Sequence, residues 1–95
     1  MTHATLADVI VLARGLAAIV PNERAALAKT RVDETRVADA FRRQTGRAHP
    51  DWGDGTLSAA VLLQGATASP CVMTRDFADC LRLALNAAAP LYRTA

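Results

Sequence analysis

Apolar residues recur at helical spacing in every long segment of this chain, and a proline or glycine stands where each such segment should stop. Spacings of three and four bring side chains to one face of an α-helix, whereas a half-buried strand needs a period of two. In the first segment Leu6, Val9, Ile10, Ala13, Leu16 and Ala17 share a face, and Val11, Leu12 and Ile19 widen it. Thr5 is placed to cap this segment, with Asp8 three residues on as in a capping box. Pro21 closes it, because the residue before a proline avoids the α region. The pattern predicts a helix over Leu6–Ala18, so broadly apolar that it is central to a bundle or covered by a second subunit.

The second segment opens at Asn22, with Pro21 suited to a first turn and Glu23 favoured at the positive end of the helix dipole. Ala26, Leu27, Thr30, Val37, Ala40 and Phe41 can share a face, and Gly46 suits the position just past the last turn. The apolar signal thins from Arg31 to Arg36. This predicts two helices with a tight break and Asp33 as the second cap, the alternative being one long helix with a solvated middle. Arg47 to Gly55 is the main loop, punctuated by Pro50, Gly53 and Gly55. Thr56 then caps a short apolar helix over Leu57–Gln64, which Gly65 ends. A connector runs from Ala66 to Pro70. Thr74 caps the last helix, Arg75–Ala89, whose Phe77, Cys80, Leu81, Ala84, Leu85 and Ala88 form one face before Pro90 stops it.

Residue types agree with the spacing. Hydrophobic residues make up 52% and aromatic ones only 4% of the chain, with alanine and leucine dominant, and these favour helix over strand. A length of 95 residues is one domain, 1–95, large enough for a single core. The expected fold is therefore all-α: a small irregular, orthogonal bundle of four to five short helices.

Several function classes fall away. A net charge of +2 is a weak excess for a nucleic-acid module. The N-terminus lacks the basic region of a signal peptide, and the first apolar stretch is too short for a membrane span. Two cysteines, Cys71 and Cys80, are few for a secreted disulfide scaffold and read as reduced thiols in a cytoplasmic protein. With His3 and His49 they complete no zinc spacing, so no metal and no cofactor is expected. Cys80 reads as a small buried hydrophobe, and Cys71, near a helix start, as the more reactive thiol.

Two surface groups remain as candidate sites. The loop gathers Arg47, His49, Asp51, Trp52 and Asp54: an imidazole, two carboxylates, a guanidinium and the only tryptophan. His49 with Asp51 or Asp54 has the elements of an acid–base pair. The plainer reading is a structural corner in which Trp52 plugs the bundle, glycines supply positive φ and the carboxylates bond turn amides. Beside it, Arg42 and Arg43 form a basic patch, and Lys29, Arg36 and Arg43 repeat every seven residues. Asp39 lies four residues before Arg43 and Asp33 three before Arg36, as in ordinary helix ion pairs. No aromatic residues interleave with the basic ones, which argues against nucleic acid. The first helix and Leu57–Leu63 carry more apolar surface than a small monomer hides readily, which points to self-association or to tight alanine-lined packing.

The segment from Thr45 through Gly46, Arg47, His49, Pro50, Trp52, Gly53 and Gly55 to Leu57 resembles a group of short uncharacterised alphaproteobacterial proteins. These share a Gly-Arg-x-His-Pro-x-Trp-Gly-x-Gly-Ser/Thr-Leu stretch, and the opening Asn22 to Leu27 is also similar. The resemblance implies no activity. The functional expectation is a small protein-interaction or adaptor module, self-associating as a homodimer and acting through a protein partner rather than a membrane, with Arg47, His49, Asp51, Trp52, Asp54, Arg42 and Arg43 as its contact patch. The alternatives are a nucleic-acid-binding regulator using the arginine face and a small enzyme using His49, Asp51 and Asp54. An enzyme is the less favoured of these readings.

Overall fold

The computed structural model describes residues 3–65, 67–69 and 72–94. Four α-helices follow one another: α1 (Leu6–Ala17), α2 (Arg24–Thr45), α3 (Leu57–Gln64) and α4 (Arg75–Ala87). Single 3₁₀ turns, Pro21–Glu23 and Ala89–Leu91, precede α2 and follow α4. Among the described residues there is no strand, only an isolated bridge between His49 and Gly53. The fold is a small all-α bundle.

Three threonines begin three of the helices as their positions foretold. Thr5 accepts from the Asp8 amide at 3.2 Å while Asp8 accepts from the Thr5 amide at 2.9 Å, completing a capping box. Thr56 accepts from Ala59 N–H at 3.2 Å and Thr74 from Phe77 N–H at 3.0 Å. Each cap satisfies an amide that has no partner inside its own helix.

The core sits where α1 meets α3 and α4. Val9, Leu12, Ala13 and Leu16 of α1 lie against Leu57 and Val61 of α3 and Phe77, Cys80, Ala84 and Ala88 of α4, with Ala28 and Val32 closing the side of α2. So α1 is the central helix, and the buried alanines let its neighbours approach closely. Cys80 is a free thiol buried on the inner face of α4, and that burial pushes its pKa up.

The middle segment departs from expectation. α2 runs unbroken for 22 residues, and Asp33 lies within it rather than at a cap. Its buried face is Arg24, Ala28, Val32, Thr35, Ala38 and Asp39, while Ala26, Thr30 and Val37 face solvent. The apolar signal thinned at Arg31–Arg36 because half of the inward positions of this helix are polar. Thr35 is accommodated by donating its hydroxyl to the Arg31 carbonyl at 2.8 Å, and Arg31 pairs with Glu34 at 2.7 Å. α4 also stops earlier than expected, at Ala87, since Pro90 draws the following residues into a 3₁₀ turn. That turn buries Leu91 beneath the bundle and lets its carbonyl accept from Ala4 N–H at 3.0 Å.

Two buried charges fasten the helices. The Arg24 guanidinium donates through Nε to the carbonyls of Leu16 (2.8 Å) and Ile19 (2.9 Å) at the end of α1. Its two terminal nitrogens grip both carboxylate oxygens of Asp76 in the first turn of α4, at 2.7 and 3.2 Å. Near the other end of α1, Asp8 accepts from the Ser58 amide at 3.2 Å and from the Ser58 hydroxyl, joining α1 to α3. Burial alone would raise the Asp8 pKa, but the bonds from Ser58 and Thr5 outweigh it and hold the carboxyl below its ordinary value.

Candidate functional site

The corner between α2 and α3 is built almost entirely from hydrogen bonds within a few residues of one another. Gly46 ends α2 in the left-handed region, its amide bonded to the Arg42 carbonyl at 2.8 Å. The chain then doubles back: His49 N–H donates to Gly53 O at 2.7 Å, and Gly53 N–H donates to His49 O at 3.0 Å. Inside this loop the His49 Nδ1 accepts from the amides of Asp51 (3.1 Å) and Trp52 (3.2 Å). Those bonds fix the ring, and the Trp52 indole stacks on it with centroids 4.6 Å apart and planes 6° from parallel. Phe41, on the last turns of α2, meets the imidazole in an edge-type contact with centroids 5.0 Å apart.

Glycines are required where the corner touches the helices. Gly53 has φ +85°, and a Cβ there would lie 2.7 Å from the Ala59 methyl of α3. Gly55 has φ +95°, and a Cβ would lie 2.9 Å from Asp39 Cα of α2. A side chain at either place meets both a strained backbone and a fixed neighbour. The corner is tied down further by Gln64, which donates to the Asp51 carbonyl at 2.7 Å. Asp54 accepts from the Thr56 hydroxyl at 2.7 Å and its amide at 3.1 Å. The Thr56 hydroxyl, then its amide, and to a lesser degree the Arg42 charge hold the Asp54 carboxyl below its ordinary pKa.

The residues singled out in the sequence are thus brought together, but their parts differ from one another. His49 and Trp52 are half-buried, while Arg42, Arg43, Arg47, Asp51 and Asp54 are exposed. Trp52 does not plug the bundle. It lies outside the core cluster and stacks on His49, while Gly53 is the residue of the corner that presses on α3. Among the described residues His49 is held by backbone amides and by rings, not by Asp51 or Asp54. Its Nδ1 lone pair is occupied by those amides, so in the neutral ring the hydrogen sits on Nε2. Arg43 pairs with Asp39 at 3.3 Å across one helical turn, as the spacing foretold. Cys71 lies outside the described residues.

Sequence reasoning passed over the Arg24 and Asp8 fastenings and one concavity. A cavity of about 70 Å³ opens between α1, α2 and α3, walled by Leu12, Leu16, Ile19, Leu27 and Val61, with Gly15 where Val61 approaches. His49, Asp51 and Asp54 do not line it. Among the described residues no three His, Cys, Asp or Glu side chains gather as a metal site would need. No helix of the described residues is long and apolar enough to cross a membrane.

The arrangement can present a flat ring stack and directed donors on a fixed backbone. The family described as a domain of unknown function (DUF7742) matches residues 3–88. No curated protein and no solved structure shows a significant match.

Proposed function

The chain belongs to the DUF7742 family, and on that footing we propose that it is a small protein-interaction module whose contact surface is the corner from Arg42 to Asp54. The observation that carries this reading is the rigid presentation of the His49–Trp52 stack, fixed by backbone bonds and left half-exposed beside three exposed arginines. Preorganised aromatic and arginine side chains lose little freedom on binding, which is why they dominate the energetics of protein contacts. With its Nδ1 lone pair engaged by two amides, the imidazole has no free nitrogen to accept a proton as a general base. Nucleic acid is disfavoured because Arg43 is engaged by Asp39 and Arg42 lies near the Asp54 carboxylate. The module acts in the cytoplasm, a compartment in which the free buried Cys80 stays reduced.

Affinity capture with the full chain tests this against Trp52→Ala and Arg47→Ala. Each variant is expected to lose the protein that the native chain retains while keeping its helical circular dichroism. If both variants keep fold and every captured protein, the corner is not the contact surface. Retention of a labelled oligonucleotide at low ionic strength, weakening steeply with salt, would replace this reading with nucleic-acid binding.

A further inference from the structure

One lone pair of His49 closes the tip of the corner, and we propose that protonation of this imidazole opens the tip, so that the contact surface exists at neutral pH and is lost in mild acid. This rests on reading the corner as an interaction surface and names its regulation. Nδ1 accepts from the Asp51 amide at 3.1 Å and from the Trp52 amide at 3.2 Å. An imidazolium carries hydrogen on both nitrogens and accepts nothing. A proton and the two amides therefore compete for the same pair of electrons. With the proton in place, the Nδ1 hydrogen would face two amide hydrogens, and the turn must give way. Histidine is the side chain whose charge ordinarily changes just below neutral pH, and the chain has only one other, the exposed His3.

The opening is confined to the tip, Pro50 to Trp52. The neck is held without the ring, because His49 and Gly53 exchange backbone bonds at 2.7 and 3.0 Å. Two uncharged rings meet the imidazole, Phe41 from α2 and Trp52 from the loop. The charged groups of the elements around it are of both signs: Asp39, Arg42 and Arg43 near the end of α2, and Arg47, Asp51 and Asp54 in the loop, with none on α3. Arg43 pairs with Asp39, and Asp54 accepts from Thr56 under the influence of Arg42. Among the described residues none of these six side chains is bonded to the ring, whose hydrogen bonds come from the two amides alone. An indole face attracts a cation, so the charged ring can stay against Trp52. It no longer holds the backbone that carries them both. The stack then moves with a loose tip, and the preorganisation that favours binding is gone.

Backbone NMR relaxation of the full chain carrying His3→Gln, recorded from about pH 7.5 down to about pH 5, tests this. The Asp51 and Trp52 amides are expected to pass from an order parameter of about 0.85 to below about 0.6 as the His49 ring signals titrate, with the helices unchanged. His49→Asn keeps an acceptor for these amides and loses the titrating group, so its tip is expected to stay ordered at both ends of the range. Apparent affinity scales with the closed fraction, so a chain about nine-tenths open should hold the protein captured at neutral pH about tenfold more weakly. Amides that stay ordered while the ring titrates overturn the inference, as does a ring that stays neutral throughout or a His49→Asn tip that loosens in acid as the native one does. Undiminished capture in acid by an open tip overturns the gate alone where Trp52→Ala still loses the captured protein at neutral pH. If Trp52→Ala keeps that protein as well, the interaction surface itself is removed.

Discussion

Arg24 and His49 both bond backbone groups, but they bond them over different distances and to different ends. The Arg24 guanidinium is buried and joins three elements: the last turns of α1, the start of α2 and the first turn of α4. The His49 ring is half-exposed, and its hydrogen-bond partners lie two and three residues away in the same loop. Breaking the first set opens the bundle, because separate helices lose their common fastening. Breaking the second set lets one corner relax while the core stays closed. Polar groups near α1 thus hold the fold together, and polar groups at the corner hold rings in place at the surface.

The largest expected effects test that division from its structural side. Arg24→Ala leaves the Leu16 and Ile19 carbonyls without a side-chain donor in a buried setting, which should cost about 2–3 kcal/mol. Arg24→Lys should recover less than half, because one ammonium cannot serve two carbonyls and a bidentate carboxylate together. Urea denaturation followed by circular dichroism measures both, and a loss under about 1 kcal/mol for the alanine variant would break the comparison. Next comes Gly55→Ala, expected to cost about 2 kcal/mol because the added methyl meets the α2 backbone as well as a disfavoured φ. Gly46→Ala meets nothing within 4 Å and bears only the left-handed backbone, so about 1 kcal/mol is expected there. Equal losses at the two glycines would mean that the corner does not press on α2.

What the sequence made legible follows from the same division. The caps at Thr5, Thr56 and Thr74 and the central place of α1 were readable, and so was the inner face of α4 except at Leu85, which stands exposed, since each rests on local spacing. The face of α2 was not. Arg24, Thr35 and Asp39 occupy inward positions that hydropathy assigns to solvent, and their partners lie on another helix or one turn away along α2. A search for the stripe Arg24, Ala28, Val32, Thr35 and Ala38 at spacings of four and three would have found it, had polar residues been allowed inside. At the corner, composition gathered the right residues but misjudged Trp52. The indole stacks on an imidazole three residues away rather than on the core, and which of these neighbours it meets is set by how the loop folds, not by residue type.

An intermediate effect should appear in acid. The carboxyls of Asp8, Asp54 and Asp76 are all held below their ordinary values, by hydrogen bonds that for Asp8 overcome its burial, by Thr56 for Asp54 and by Arg24 for Asp76. A carboxyl depressed in the folded state adds stability that is fully present above its unfolded value, about pH 4, and is lost as pH falls through the folded one. So far as these carboxyls set it, unfolding free energy should therefore be level from neutral pH to about pH 5 and decline below it. Asp8→Asn should be about 1–2 kcal/mol less stable at neutral pH and show a shallower acid decline, since one of the three depressed groups is gone. An unchanged slope in that variant would mean that the Ser58 fastening contributes nothing.

The smallest effect on stability should come from Trp52, and the comparison depends most sharply on it. Its indole lies outside the core and stacks on one face of His49, so Trp52→Ala removes contact with one ring and leaves no cavity within the bundle. A cost of at most about 1 kcal/mol is expected, in the range of ordinary surface substitutions rather than core truncations. The amides of Asp51 and Trp52 keep their acceptor on His49, so the loop backbone should hold its shape. Fluorescence of the native indole should be partly quenched by the stacked imidazole, and His49→Ala should change that emission without unfolding the chain. If Trp52→Ala instead costs as much as Arg24→Ala, the corner is a fastening like the other, and its rings are exposed by accident of packing rather than presented for contact.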